Sequence, residues 1–268
     1  MKELKINKDK LLEVYKSDIH SFLFDSIIEG NTPAQIIVDD IENISIFLIY
    51  EGNCVYFGGE VGDKNKYKEA ITFFKENYLN DSRRKEVGLV KINYYPEVWE
   101  NELLEELKGF KHKVVDRFLF KQELNSVPII KKNDDLIIKS IDNDILKKDS
   151  LGNHNCLIDE VEGMWGSVDN FSNNGFGYCA IMDENIISWC TSEYVSKNYC
   201  GIGVETIEEC EGKGVATIIA NEFLKKCVDL NIVPYWDSWK ENTPSVRVAE
   251  KNQFQKICDY RIVLVKLN

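Results

Sequence analysis

One stretch decides the fold of this chain: GIGVETIEECEGKGVATIIANEFLKKCVDL, residues 201 to 230. Its apolar start, Gly201–Ile207, predicts a buried strand, which an acidic run joins to Gly212-Lys-Gly-Val-Ala216. From Val215 onward apolar residues recur at steps of four, which predicts a long amphipathic helix. Glycines between a strand and a helix let the backbone approach a ligand closely, and the unpaired N–H groups of the helix's first turn suit a phosphate.

Three phosphate-binding motifs compete for these glycines. A P-loop needs Lys directly after its last Gly, but Val215 follows Gly214, and a dinucleotide fingerprint needs Gly or Ala where Thr217 stands. The segment Glu211-Gly-Lys-Gly-Val-Ala216 resembles a third motif, the pyrophosphate loop of the GNAT superfamily of acyl-CoA N-acyltransferases. It departs from that motif only at Glu211, where the family has Arg or Gln. Taken alone, the segment is equally compatible with an ordinary glycine-rich turn.

A second segment strengthens the resemblance. Residues Ile232–Trp239 predict an apolar and aromatic strand, and Asn242 followed by Pro244 predicts the start of another helix. The segment Asn242-Thr-Pro-Ser-Val-Arg-Val-Ala-Glu-Lys-Asn-Gln-Phe254 is similar to the second cofactor motif of GNAT proteins, with Gln253 in place of the family's usual Gly. Because the two motifs occur in the right order, separated by one helix and one strand, this part of the chain is identified as GNAT-like.

The composition narrows the range of partners. The 268 residues carry a net charge of -12, which argues against nucleic acid or an anionic membrane as the main partner and favours an amine substrate. Without a membrane-length apolar run or a signal-peptide pattern, the chain is expected to be cytoplasmic. The 8 cysteines and 3 histidines lack metal-ligand spacing, so no metal site is predicted and the cysteines are expected to be mostly buried thiols.

The two halves of the chain share an order of elements. A strand at Cys54, a helix, a strand, a helix and then Phe110 in the first half match, at a nearly constant offset, the elements from Gly201 to Phe254. We therefore predict a mixed α/β (α+β) fold, with a mostly antiparallel central sheet flanked by helices, in two GNAT-like modules in tandem.

The predicted bounds are a degenerate module at residues 1–125, a linker at 126–135 and a GNAT acetyltransferase domain at 136–268. The first module lacks G-x-[GA] at its helix start, where Asp63 would repel a pyrophosphate.

The resemblance implies a site for acetyl-CoA or another short acyl-CoA. The loop N–H groups would bind its pyrophosphate, the preceding strand would bond the pantetheine amides through its backbone, and the second motif would contact the pantetheine arm or the 3′-phosphoadenosine. The cofactor-binding residues expected on this basis are Val204, Thr206, Ile207, Glu211, Gly212, Lys213, Gly214, Val215, Ala216, Thr217, Asn242 and Ser245.

The family's chemistry is direct attack of an amine on a thioester, which requires a base and an acid. Glu205 is the expected base and Asp237 the second choice, although Glu205 is equally compatible with a solvent-facing position on an alternating strand. Ala249 stands where the family has the Tyr that acts as the acid, so either the thiolate leaves unassisted or another group protonates it, for which Tyr235, Tyr260 and Ser238 are the candidates. Residues Trp165–Gly175 have the polar, glycine-bounded composition of an acceptor loop.

Together these features predict an N-acetyltransferase that moves an acetyl group from acetyl-CoA to a primary amine of a small molecule or peptide. The expected partners are a small-molecule amine and a second copy of the chain in a homodimer, without nucleic acid or a membrane. The alternative is a non-catalytic acyl-CoA-binding or regulatory protein with the same fold.

Overall fold

The structure is a computed structural model that describes residues 1–15, 17–59, 62–80, 88–125, 127–131 and 136–267. Its strands are β1 (Lys2–Glu3), β2 (Gln35–Val38), β3 (Phe47–Glu51), β4 (Cys54–Gly58), β5 (Leu89–Tyr95), β6 (Lys111–Lys121), β7 (Ile137–Ser140), β8 (Gly177–Met182), β9 (Asn185–Glu193), β10 (Tyr199–Thr206), β11 (Val233–Trp239) and β12 (Gln255–Lys266). Its helices are α1 (Leu11–Val14), α2 (Ser21–Glu29), α3 (Lys64–Phe74), α4 (Val98–Glu106), α5 (Asn143–Leu146), α6 (His154–Trp165), α7 (Val168–Asn174), α8 (Val215–Leu230) and α9 (Thr243–Lys251).

The chain divides into two compact units. Unit 1 contains Met1–His20, Pro33–Arg117 and Asp259–Asn268, and unit 2 contains Ser21–Thr32 and Phe118–Cys258. This division differs from the predicted bounds at both ends, because α2 belongs to unit 2 and most of β12 belongs to unit 1. The predicted linker lies partly outside the described residues, at positions 126 and 132–135.

Unit 1 is built on a sheet with the order β1-β2-β3-β4-β5-β12. Strands β4 and β5 run parallel, and the other neighbouring pairs are antiparallel. The last strand was not predicted from the sequence; it joins unit 1 because Val263 pairs with Ile92 of β5. Beneath the sheet, α3 and α4 bury aromatic side chains, among them Trp99, whose indole N–H donates to the Gly59 carbonyl at 2.9 Å.

Unit 2 is built on a sheet that includes β11-β10-β9-β8-β7, in which β10 and β11 run parallel and the other pairs are antiparallel. On one face, Leu224 of α8 packs with Trp236 of β11. On the other face, Phe22 of α2 stacks on Tyr235, the residue before Trp236 in β11, with ring centroids 5.0 Å apart. Because successive strand residues point to opposite faces, α2 and α8 cover opposite faces of this sheet.

The N-terminal helix α2 is held within unit 2 by hydrogen bonds as well as by Phe22. The Ser26 hydroxyl donates to the Val195 carbonyl at 2.9 Å, and the Asn31 side chain donates to the same carbonyl at 3.0 Å. These contacts link residues more than 160 positions apart, so the sequence pattern of the N-terminal half did not reveal them.

The segment predicted to be an acceptor loop, Trp165–Gly175, is mostly helical, so the prediction of a loop was wrong, and its role in acceptor binding stays a prediction. Helix α7 is capped by Ser167, whose side chain accepts the Asn170 N–H at 3.1 Å. Trp165 and Phe171 are buried and lie edge to face, with centroids 5.7 Å apart. The polar composition of the segment concealed a short helix that two aromatic side chains anchor to the core.

The cysteines are free thiols, and six of them are buried: Cys54, Cys179, Cys190, Cys200, Cys210 and Cys227. Burial raises the pKa of Cys179 to about 12. Thiols of this kind remain protonated near neutral pH and react slowly, so they serve as small apolar side chains of the core. This confirms the prediction of mostly buried, structural thiols, with Cys156 as the exposed exception.

Candidate functional site

The loop between β10 and α8 depends on its two glycines for its backbone conformation. Gly212 has φ +71° and Gly214 has φ +81°, a region that residues with a side chain rarely adopt. A Cβ added at either position would meet no atom within 4 Å. Both glycines are therefore required by the backbone conformation rather than by close packing, and the space in front of the loop is open.

The N-terminus of α8 offers unpaired N–H groups to that space. Gly214 is the residue before the first helical turn and contributes no capping side chain. The Val215 and Thr217 side chains are buried, so these residues present only their backbone to the loop. The first turn of a helix has no internal partner for its N–H groups and carries the positive end of the dipole, so this helix end favours an anion.

In unit 1 the equivalent helix end is already capped from within the chain. The Asp63 carboxylate accepts the Asn65 N–H at 2.9 Å at the start of α3. The residue before the first turn of α3 is therefore the negatively charged Asp63, whereas the corresponding residue of α8 is the uncharged Gly214.

Strands β10 and β11 separate along their length. Within residues 185–239, all of which are described, β10 pairs with β11 only over Tyr199–Gly201 against Val233–Tyr235. Beyond Gly201, β10 continues to pair with β9 as far as Thr206, and β11 continues to Trp239. The edge of β10 that faces β11 is therefore free of strand pairing from Ile202 onward.

The backbone direction along β10 identifies which amides point to that free edge. The Ile207 N–H donates to the Ile187 carbonyl of β9 at 3.0 Å, and the Glu205 carbonyl accepts from the Ser188 hydroxyl at 2.7 Å. Because neighbouring residues direct their backbone groups to opposite edges, Val204 and Thr206 point theirs away from β9. The predicted cofactor residues Val204 and Thr206 are thus placed to offer amides, whereas the N–H of Ile207 is already bonded.

The predicted base, Glu205, is exposed at the surface of β10. Its pKa is raised, first by partial burial of the carboxyl group and then by the nearby negative charges of Glu160 and Glu211. Glu211 is thus close enough to influence the carboxyl group of Glu205, and both lie beside the glycine loop.

Asp237, the second choice for the base, lies on the same face of the sheet as Glu205. It is two residues beyond Tyr235, which stacks on Phe22, and a Cβ added at Gly201 would lie 3.2 Å from Phe22. By strand alternation, the odd-numbered residues of β10 and β11 therefore share the α2 face. Glu205 and Asp237 stand on either side of the opening between the two strands.

Tyr260, the predicted acid, belongs to β12 in unit 1, where its ring lies edge to face with His20 at 5.2 Å. Its role in proton transfer stays a prediction. Ala249, at the family's usual Tyr position, is fully buried among Trp236 and Phe254. No side chain that could protonate a thiolate is therefore present at that position.

The two residues predicted from the second motif have structural partners. Asn242 caps α9 by accepting the Ser245 N–H at 3.2 Å, and the Ser245 hydroxyl accepts the Trp236 indole N–H at 3.0 Å. These bonds fix the start of α9 against β11. A contact of either residue with a cofactor stays a prediction.

Two further carboxylates near this site were missed in the sequence. Glu160 of α6 and Glu193 of β9 extend over Gly203, and a Cβ added at Gly203 would lie 3.5 Å and 2.6 Å from their respective Oε1 atoms. Strand alternation gave a weak signal for Glu193, since β9 was predicted. Glu160 gave none, because its position depends on how α6 packs on the sheet.

Comparison with known families decides the classification. The family model for the GNAT acetyltransferases matches residues 13–263 of the chain. The chain belongs to the GNAT acetyltransferase family. One curated relative is the uncharacterized N-acetyltransferase YdfB of Bacillus subtilis (strain 168). The chain is 26% identical to YdfB over 238 residues, and the match covers 88% of this chain and 87% of YdfB.

Solved structures agree with this family fold. A GCN5-related N-acetyltransferase-like protein from Streptococcus suis 89/1591 matches with a TM-score of 0.70 at 18% identity, covering 97% of this chain and 98% of the other. A tandem GNAT protein from the clavulanic acid biosynthesis pathway matches with a TM-score of 0.55 at 9% identity, covering 100% and 98%. The predictions of an acetyltransferase and of a GNAT fold are confirmed, and the tandem arrangement of two GNAT-like modules stays a prediction.

None of the described helices is both long enough and apolar enough to cross a bilayer.

Proposed function

We propose that this acetyltransferase moves an acetyl group from acetyl-CoA to a primary amine of a small molecule or peptide. The observation that carries the proposal is the uncapped N-terminus of α8, behind Gly212 and Gly214, at the end of the free edge of β10. A pyrophosphate needs exposed backbone N–H groups and the absence of side-chain bulk, which this loop supplies, and the positive end of the α8 dipole adds to the attraction.

The residues present fit acetyl-CoA in two places. The N–H groups from Gly214 to Thr217 would bind the pyrophosphate, and the backbone of Val204 and Thr206 would bond the pantetheine amides. Glu211 is unfavourable next to a pyrophosphate because it adds a negative charge. We therefore infer that the loop binds the cofactor through its backbone and that Glu211 limits the affinity.

When bound, acetyl-CoA would supply a thioester: the amine nitrogen would bond to its carbonyl carbon as the carbon–sulfur bond breaks, and CoA would leave as a thiolate that takes a proton from water. In this proposal Glu205 removes the proton from the attacking amine, and its raised pKa makes it a stronger base than an ordinary carboxylate. The negative charges near the opening also attract a protonated amine from solution. Asp237, on the other side of the opening, is the alternative base.

The proposal is tested by calorimetric titration of the whole chain with acetyl-CoA, followed by an assay of CoA thiol release with a series of primary amines. We expect saturable binding and amine-dependent release of thiol. If no short acyl-CoA produces heat or a shift in melting temperature, the proposed donor is wrong.

The alternative is a protein that binds acyl-CoA without turnover. The buried Ala249 in place of the family's acid and the acidic residue Glu211 favour it. Tight binding of acetyl-CoA, with no CoA thiol released in the presence of any amine tested, would support the alternative.

A further inference from the structure

On the face of unit 2 that α2 covers, the carboxylates of Glu160 and Glu205 both lie beside β10. Within the part of the chain that the structure describes, neither carboxylate accepts a hydrogen bond or forms an ion pair. Glu160 is half-buried, whereas Glu205 is exposed. A half-buried carboxylate that no positive group neutralises exerts its negative charge on the titratable groups around it.

Helix α6 holds Glu160 in a fixed place over the sheet. At the end of the helix, the Trp165 indole N–H donates to the Ser192 carbonyl of β9 at 3.0 Å. At its start, Nε2 of the buried residue His154 donates to the Ile145 carbonyl at 3.1 Å. Because both ends of α6 are bonded to other elements of unit 2, Glu160, midway along the helix, keeps its position relative to β10.

The position of Gly203 shows how close Glu160 comes to Glu205. A Cβ added at Gly203 would lie 3.5 Å from Glu160 Oε1. Gly203 and Glu205 are two residues apart on one face of β10, about 7 Å, so Glu160 Oε1 lies within about 11 Å of the Glu205 Cβ. Near a protein surface, a unit charge about 8 Å away changes the ionisation constant of a carboxyl group about threefold. The two carboxylates are therefore close enough to affect each other's ionisation.

The elements around Glu205 carry mostly acidic side chains. The charged residues on the elements that line this face are Glu160 of α6, Glu193 of β9, Asp25 of α2, Asp237 of β11, and Glu211 and Lys213 of the glycine loop. Among these residues Glu160 has the largest effect on the carboxyl group of Glu205, ahead of Glu211. Its half-buried position also leaves its charge less screened by salt than an exposed charge would be.

The order in which the two carboxylates ionise decides which one acts on the other. Burial alone raises the pKa of Glu160, while the pKa of Glu205 is raised by its own partial burial, then by the charge of Glu160 and then by that of Glu211. Glu205 therefore loses its proton in the presence of an ionised Glu160, which makes Glu205 the stronger base of the pair.

We propose that Glu160 is a positioning residue of the acetyl transfer, whose fixed negative charge makes Glu205 a stronger proton acceptor for the attacking amine. This inference rests on the proposed function, because it takes Glu205 as the base. In the step itself, one proton moves from the amine nitrogen to a Glu205 oxygen and then to water, and Glu160 neither gains nor loses a proton.

The first test needs neither cofactor nor acceptor. The whole chain, isotope-labelled at the glutamate Cδ atoms, is titrated by NMR, and Glu205→Gln identifies the Glu205 resonance by its loss. Glu160→Gln should move the Glu205 titration to lower pH, so that the ionised fraction one pH unit below the wild-type midpoint rises about two- to threefold. Glu160→Asp keeps the charge and should retain most of the wild-type curve. Glu162→Gln removes the same charge from an exposed position of α6 and should leave the curve unchanged.

The second test measures kcat/KM against pH with acetyl-CoA and a primary amine. In Glu160→Gln the acidic limb should move to lower pH together with the NMR titration, while the rate on the alkaline plateau falls severalfold, because Glu205 is then a weaker base. A purely structural role of Glu160 would lower the melting temperature and reduce the rate equally at every pH, without moving the limb.

The other outcomes separate this inference from the proposed function. An unchanged Glu205 titration in Glu160→Gln would overturn the inference, whether or not the protein acetylates an amine. A titration that moves while the acidic limb of the rate stays in place would also overturn it, because the base would then be another group. Complete loss of activity in Glu160→Gln at wild-type stability would make Glu160 the base itself and contradict the inference. If no amine is turned over, the proposed function fails, and the NMR titration alone decides whether the charge of Glu160 acts on Glu205.

Discussion

Replacing Gly214 with Asp gives the sharpest test of the proposed pyrophosphate loop. The substitution places a carboxylate at the residue before the first turn of α8, where Asp63 stands before the first turn of α3. In α3 that carboxylate accepts the Asn65 N–H at 2.9 Å. In α8 the same N–H groups are the ones assigned to the pyrophosphate, so the new carboxylate would compete for them and repel the phosphates.

The magnitude follows from two terms. Two unit charges 4 Å apart repel by about 1 kcal/mol in water and about 4 kcal/mol at an effective dielectric constant of about 20. Two phosphate charges near the new carboxylate therefore cost about 2 kcal/mol or more, which weakens acetyl-CoA binding about thirtyfold or more. In addition, φ +81° at Gly214 is strained for any residue with a side chain by about 1–2 kcal/mol. We expect each kcal/mol to lower the melting temperature by about 2–4 °C.

The assay is calorimetric titration with acetyl-CoA at low salt, with two controls. Gly214→Ala carries the strain without the charge and should lose stability but little affinity. Gly62→Asp makes the same substitution before α3, where the glycine has no positive φ and an added Cβ meets no neighbour, and should bind like the wild type. If Gly214→Asp binds acetyl-CoA within about threefold of the wild type, the first turn of α8 does not hold the pyrophosphate.

Glu205→Gln should lower kcat about a hundredfold or more, with the Kd for acetyl-CoA little changed; an unchanged kcat would shift the base to Asp237. The wild-type rate should fall as pH decreases through the raised pKa of Glu205, because protonation removes the base, and the Glu205→Gln variant should lose this acidic limb. Glu211→Gln should tighten acetyl-CoA binding, and the gain should shrink in high salt, which a titration series would measure. Ser167→Ala should lower the free energy of unfolding by about 1 kcal/mol in urea, because α7 loses its cap.

Local chemistry explains why much of the fold was readable in the sequence. The positive φ of Gly212 and Gly214 and the start of α8 depend on residues within one turn of each other, so a short motif encodes them. The same holds for Asn242, whose cap bond reaches only to Ser245. The Trp165–Gly175 segment was misread because its polar residues are typical of a loop, while the burial that makes it a helix depends on the core.

The recruitment of α2 into unit 2 and of β12 into unit 1 was not readable, because contacts between distant segments decide it. The candidate site likewise contains features set by local sequence and features set by contacts between distant segments. Its glycine loop follows from local backbone preferences, and the sequence by itself determined it. The free edge of β10 exists because β11 diverges after Gly201, and the oxygens over Gly203 come together because α6 packs on β9. Only the tertiary structure decided these features, because local backbone preferences do not determine which distant side chains pack over a glycine.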